Sequence, residues 1–259
     1  MADILEVSIM NKPVVIMNFS GVYDGEPFAH NQRFVHLDCT HLKGTDCYCD
    51  ADGMREIRRI IAPYPAEGVH FIDSGDYHYV TKFWTEKLTQ PFALMLFDHH
   101  TDMQPPLWSG VLSCGGWVKD MIDGNPLLKH VYIMGVPEDK ASAIPEVYRN
   151  KVEVLTDKRL HTHSALNLPL PADGPIYVSI DKDVLNTNSA RTDWDQGCLT
   201  LDDLKRVLTL VMRHEEVVGI DVCGECPATL RLFDPDGSLT IDDKANRELL
   251  ELFMRQGLC

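Results

Sequence analysis

The stretch LMLFDHHTDMQ, residues 94–104, runs a block of apolar side chains straight into Asp98, His99, His100 and Asp102. A near-continuous apolar run, without polar alternation, reads as a strand covered on both faces, as in parallel sheets sandwiched between helices. Such sheets gather their ligands at the carboxyl ends of the strands. The D-x-H-x-D that closes this strand therefore reads as half of a metal site, whose other half must come from other strand ends.

Such apolar runs occur at PVVIMNF (13–19), GVHFID (68–73), FALMLFD (92–98), HVYIMGV (130–136), KVEVL (151–155), PIYVSID (175–181) and EVVGIDV (216–222). Helical patterns are predicted between them, over 53–62, 76–88, 113–122, 201–214 and 241–256. The fourth opens with a capping residue, Thr200, and acids in its first turn. Strand–helix alternation of this kind predicts an α/β fold with a parallel sheet between helical layers. The 259 residues show no internal repeat and no linker rich in Gly, Pro and Ser, so a single domain, 1–259, is expected.

Each strand is then judged by what it delivers at its carboxyl end. PIYVSID delivers Asp181 and, two residues on, Asp183; GVHFID leads into SGDYHY with Asp76 and His78; EVVGIDV delivers Asp221 and then Glu225. The two-residue period of a strand points Asp98 and His100 the same way, and likewise Asp181 and Asp183. Asp98, Asp102, Asp181 and Asp183 with His78 and His100 make four carboxylates and two imidazoles, more anionic ligand than one ion needs. Unpaired buried carboxylates are costly, and two divalent cations sharing bridging carboxylates resolve the excess. An oxygen-rich set suits manganese better than zinc, and two such ions can hold a bridging hydroxide, which implies hydrolysis. The blander readings are a capping or turn role for each D-x-D, a core histidine for His78, and a solvated loop for the HTH at 161–163.

A net charge of −15 argues against a nucleic-acid partner. The acidic start MADILEVSIM has no basic n-region, and runs such as FALMLF are too short to span a bilayer, so a cytoplasmic, membrane-free protein is expected. Eight cysteines are then expected as thiols. Cys47 with Cys49, and Cys223 with Cys226, have spacings that redox pairs or zinc sites use, but ordinary small buried thiols are the favoured reading.

DHHTD and SIDKD resemble the D-A-H-x-D and S-x-D-x-D signatures of the ureohydrolase (arginase and agmatinase) superfamily. SGDYH is similar to its G-G-D-H, ARTDWDQGCLTLDDL to the loop after its second Asp pair, and GIDVCGECP to its D-x-x-E-x-x-P strand. The resemblance implies a three-layer α/β/α sandwich on a mainly parallel sheet. It implies one manganese on His78, Asp98, Asp102 and Asp181 and another on Asp98, His100, Asp181 and Asp183, with Asp98 and Asp181 bridging. Asp102 would orient the hydroxide that attacks a guanidino or amidino carbon, and Glu225 would hold the charged amidine.

The chain departs from the family pattern in places. Tyr77 separates Asp76 from His78, and Glu225 lies four residues after Asp221 rather than three, with Gly224 between. The loop PPLWSGVLSCGGW lacks the family's proton-shuttling His and carries Cys114 near its place, while His99 replaces the usual Ala. His99 is expected to be a neighbour of the ligands or a packing residue. The loops TDMQPPLWSG and NTNSARTDWDQG are expected at the mouth, with Arg191 and Asp193 reaching the substrate's distal end or forming a solvated pair. Cys47, Cys49 and Asp50 either cover the site or pack. A single-metal amide deacetylase and a catalytically silent metal-binding homologue remain the alternatives, and a homo-oligomer is compatible with either.

Overall fold

The computed structural model describes residues 12–161, 174–227 and 237–259. Its strands are β1 (Val14–Asn18), β2 (Val35–Asp38), β3 (Tyr48–Cys49), β4 (Gly68–Phe71), β5 (Phe92–Phe97), β6 (Leu112–Ser113), β7 (Leu128–Met134), β8 (Val152–Leu155), β9 (Ile176–Asp181) and β10 (Val217–Cys223). Eight of them form one sheet in the order β2-β1-β4-β10-β9-β5-β7-β8. All neighbours in it run parallel. β3 and β6 pair antiparallel as a separate small ladder.

The helices are α1 (Ala51–Ile61), α2 (Val80–Thr85), α3 (Trp117–Gly124), α4 (Glu138–Ser142), α5 (Asp157–His161), α6 (Leu201–His214) and α7 (Ser238–Arg255). Because a strand's side chains alternate, the sheet feeds two cores. On one face Val69, Phe71, Phe97, Val178 and Ile180 pack with Leu204, Leu208, Leu249 and Phe253 of α6 and α7. On the other, Val15, Ile72, Leu94 and Leu96 pack with Ile57, Phe83, Trp84 and Trp117 of α1, α2 and α3. This is the three-layer sandwich, with β5 and β9 buried along their whole length.

All seven apolar runs are strands, and the differences have local causes. β2 escapes the reading because it is an edge strand whose alternate residues face outward. The helix expected over 76–88 is split: a 3-10 turn, Gly75–Tyr77, precedes α2. The helix expected from 113 begins at Trp117, because Leu112 and Ser113 are drawn into the ladder with β3. α6 starts where its cap predicts: Thr200 Oγ1 accepts from the Asp203 amide at 3.1 Å, and Asp203 accepts from the Thr200 amide at 3.2 Å. Thr162 and His163 of the HTH stretch, and the N-terminal segment 1–11, lie outside the described residues. Among the described residues no helix is long and apolar enough to cross a membrane.

Candidate metal centre

At the middle of the sheet β4, β10, β9 and β5 lie side by side. The chain leaves β4 for β5 on the far side of a gap that β9 and β10 fill later. Its connections therefore diverge at this point and leave a crevice above the strand ends. β5 delivers Asp98 into it, β9 delivers Asp181, and the 3-10 turn after β4 swings His78 over the top.

His78 Nδ1 stands 3.2 Å from Asp98 Oδ2, 3.1 Å from Asp102 Oδ2 and 3.6 Å from Asp181 Oδ2. His100 Nδ1 stands 2.7 Å from Asp183 Oδ2 and 3.5 Å from Asp98 Oδ1. His78, Asp98 and Asp102 form one ligand-competent group; Asp98, His100 and Asp183 form a second, each with donor atoms within 4.8 Å of one another. The two groups share Asp98. Asp181 joins through His78 and through the Cys223 thiol, which donates to Asp181 Oδ2 at 3.3 Å.

Both imidazoles turn Nδ1 to the carboxylates and have Nε2 tethered elsewhere. His78 Nε2 meets Ser179 Oγ at 2.9 Å, and Ser179 donates onward to Asp221 at 2.6 Å. His100 Nε2 meets Asp195 Oδ1 at 2.8 Å, and Lys140 holds the other oxygen of Asp195 at 3.0 Å. Tethers of this kind fix the ring and its tautomer for ligation. The Trp117 indole donates to Asp102 Oδ2 at 2.6 Å.

With only protein groups present, the charges are in conflict. Burial, then the neighbouring charge of Asp98, pushes Asp102 up to about 6. Burial, then Asp181 and Asp98, holds Asp183 well above the carboxylate range. Burial alone would lower His100, but hydrogen bonds to Asp183 and Asp98 outweigh it and push the ring up to about 12. Asp98 is fully buried, and the near neighbour of its Oδ2 is His78 Nδ1 at 3.2 Å. The carboxylates and imidazoles of this cluster thus push one another off their ordinary ranges.

Residues 68–229 match the model of the Arginase family. The chain belongs to the arginase family. An uncharacterized protein from Thermotoga maritima is 29% identical over 214 residues, covering 81% of this chain and 78% of that one. Formimidoylglutamase from Bacillus subtilis superposes with a TM-score of 0.65 at 14% identity, over 94% of this chain and 86% of its own. Proclavaminate amidino hydrolase from Streptomyces clavuligerus gives 0.65 at 16% identity, over 96% and 93%. A formiminoglutamase from Trypanosoma cruzi, in a structure with Mn2+, gives 0.63 at 12% identity, over 95% and 92%.

Within this arginase-family cleft the sequence-predicted residues divide. A cavity of about 80 Å³ is lined by His78, Asp98, His100, Asp102, Asp181 and Asp183 together with Cys47, Tyr48, Gln104, Ser113, Cys114 and Trp194. Glu225 is absent from that wall. It is fully buried, 2.6 Å from Lys182 Nζ and 2.8 Å from Asn246 Nδ2, which corrects the expectation that it faces the cleft. The cause is Gly224: its left-handed φ of +89° turns the chain after β10 and sends the next side chain behind the sheet end. Cys114 does reach the cavity, but its hydrogen bond with Cys47, and burial, hold the thiol well above its usual range, so it is a poor proton relay.

His99 is turned aside, its Nε2 3.4 Å from Asp195 Oδ2. Neither Arg191 nor Asp193 lines the cavity. Asp50 caps α1 through the amides of Asp52 and Gly53, and Cys49 packs in the core, while Cys47 faces the cleft. Ser179, Asp195, Trp117 and Trp194 were missed. Only Ser179 carried a signal, since it stands two residues before Asp181 on the same side of β9.

A Cβ at Gly224 would stand 2.4 Å from Asp181 Oδ1 and 2.7 Å from the Lys182 amide, at a φ that side chains resist. Gly224→Ala is expected to displace Asp181 and weaken metal retention by about 10–100-fold, as disturbed ligand supports do. Metal titration of the purified variant reads this directly; unchanged affinity would show that Asp181 has room to move.

Proposed function

We propose that this protein is a dinuclear, divalent-cation-dependent hydrolase of a C–N bond in a small guanidino or amidino compound, with manganese the best-suited ion. The observation that carries the reading is the pair of ligand groups sharing Asp98. The donor set fits such ions: it is rich in carboxylate oxygen, and its four carboxylates are buried and crowded against one another. His78, Asp98, Asp102 and Asp181 would hold one ion, and Asp98, His100, Asp181 and Asp183 the other. Bound there, two cations would supply a water activated at neutral pH and positive charge for the transition state.

The chain's own contribution is positioning. Asp221 and Ser179 hold the His78 ring, Asp195 holds the His100 ring, and the Trp117 indole fixes one oxygen of Asp102 so that the other is free to accept a proton from a cleft water. Gln104, Ser113 and Tyr48 offer neutral polar contacts to the substrate. Glu225 is reassigned as the counter-ion of Lys182, and the amidine is left to the cluster carboxylates. A single zinc needs about three protein ligands and an open position. It would leave one of the two groups uncompensated, so the deacetylase-like alternative is disfavoured.

The test is metal content per chain before and after incubation with manganese, followed by a screen for urea or ammonia release from guanidino and amidino compounds. One tightly held zinc, or no metal under either condition, would overturn the reading.

Metal binding should also release protons. The His100 ring is pushed up to about 12, and although burial alone would lower His78, hydrogen bonds to Asp102 and Asp98 hold it well above its usual range. Ligation needs neutral rings. Apparent metal affinity is therefore expected to rise with pH, with about one proton released per ring. Calorimetry in buffers of different ionisation enthalpy counts those protons. The metal-free protein should behave oppositely. A raised histidine stabilises fully below about 6.5 and loses that contribution as pH climbs toward about 12.

A further inference from the structure

The register that pairs Tyr48 with Ser113 and Cys49 with Leu112 continues one step to place Cys47 opposite Cys114. The Cys114 amide donates to the Cys47 carbonyl at 2.9 Å, and the two Sγ atoms lie 3.4 Å apart. Two thiolates on one tetrahedral zinc, each at about 2.3 Å, stand about 3.8 Å apart. The pair is thus held within a few tenths of an ångström of a chelating bite. Asp76 brings a carboxylate oxygen to the same place, all three donor atoms within 4.8 Å of one another. Beside it Asp193 keeps Oδ1 buried without a hydrogen-bond partner. Among the described residues neither Asp76 nor Asp193 is ion-paired with a basic side chain.

We propose that Cys47, Cys114 and Asp76 form a separate cation site in the wall of the cleft that takes a thiophilic divalent ion such as Zn2+. Sulfur distinguishes it from the oxygen-and-nitrogen centre next door: thiolates select zinc-like ions, whereas carboxylates suit manganese. The binding ion displaces the thiol protons to solvent. Cys47 and Cys114 line the same cavity of about 80 Å³ as His78 and Asp98, so an ion on the thiols narrows the space left for substrate. One cleft therefore carries a hard site and a soft one, and soft-metal occupancy would close it.

The test does not depend on whether the neighbouring centre hydrolyses anything. The protein is first saturated with Mn2+, then titrated with Co2+ while the near-ultraviolet thiolate-to-cobalt charge-transfer band is followed. The band should saturate at one Co2+ per chain, be lost in Cys47→Ser and in Cys114→Ser, and persist in Cys223→Ser, the control for the thiol that touches Asp181. On the unmodified protein, Zn2+ should slow iodoacetamide alkylation of Cys47 and Cys114 at least tenfold, and leave the exposed Cys198 unaffected, by peptide mass spectrometry. No band, a band surviving both serine substitutions, alkylation indifferent to Zn2+, or closure of the pair into a disulfide that Zn2+ does not prevent would each overturn the proposal.

Discussion

Asp98→Asn is expected to empty the centre: from two manganese ions per chain to near none, with guanidino or amidino hydrolysis falling about a thousandfold or more. Asp98 belongs to both geometric ligand groups, as Asp181 also does in the proposed assignment, so a single substitution at Asp98 weakens both at once. The change is nearly isosteric. It preserves an acceptor for the His100 amide, which donates to Asp98 Oδ1 at 2.5 Å, and so separates charge from packing. The measurement is metal content, together with the shift in unfolding temperature when Mn2+ is added. An ion held at a hundred times its Kd stabilises by about 2.7 kcal/mol, and the variant should show none of that gain. Retention of two ions with an unchanged manganese-induced shift would remove Asp98 from the centre and the dinuclear reading with it.

Lys182→Met is expected to be the most destabilising single change near the site, by about 3–5 kcal/mol. Lys182 lies between Asp181 and Asp183, and the local chain points it the opposite way, into the interior. There it meets Glu225 at 2.6 Å and Asp242 at 3.8 Å, with neither Lys182 nor Glu225 exposed. Asn246 ties Glu225 to Glu26. Removing the ammonium leaves carboxylates in a dry core, and each kilocalorie lost lowers the unfolding temperature by about 2–4 °C in a chain of this size. Lys182→Met with Glu225→Leu should recover most of the loss, because an apolar pair replaces the orphaned charge. A lone Lys182→Met variant as stable as the parent would show that water reaches this pair.

The contrast between these two residues shows what a sequence makes legible. Asp98 could be found because it ends an unbroken apolar run: the chemistry is announced by the burial of everything before it. The same logic singled out His78, Asp181 and Asp183, which the structure gathers around Asp98, and all seven strands of that type. It failed for Glu225, whose direction depends on a backbone twist at Gly224 that composition does not encode. It failed for β2, where half of the residues face outward and the apolar signal is halved. It also failed for Cys47 and Cys114. Spacing along the chain set Cys47 beside Cys49, while its actual neighbour, Cys114, is chosen by an antiparallel ladder of two-residue strands far apart in the chain. Local pattern reaches what one strand does alone, and not what two distant segments do together.

The strand order has a consequence for how the protein comes into being. The six proposed ligands are all synthesised by residue 183, yet β10, residues 217–223, is the wedge that separates β4 from β9. Until that late segment slides between them, β4 and β9 have no common neighbour to set their spacing, and His78 has no fixed distance to Asp181. A growing chain leaving the ribosome thus carries every ligand well before it carries a site. On the proposed reading, metal would load only after the last parallel strand has been inserted, the slow, long-range step of such folds.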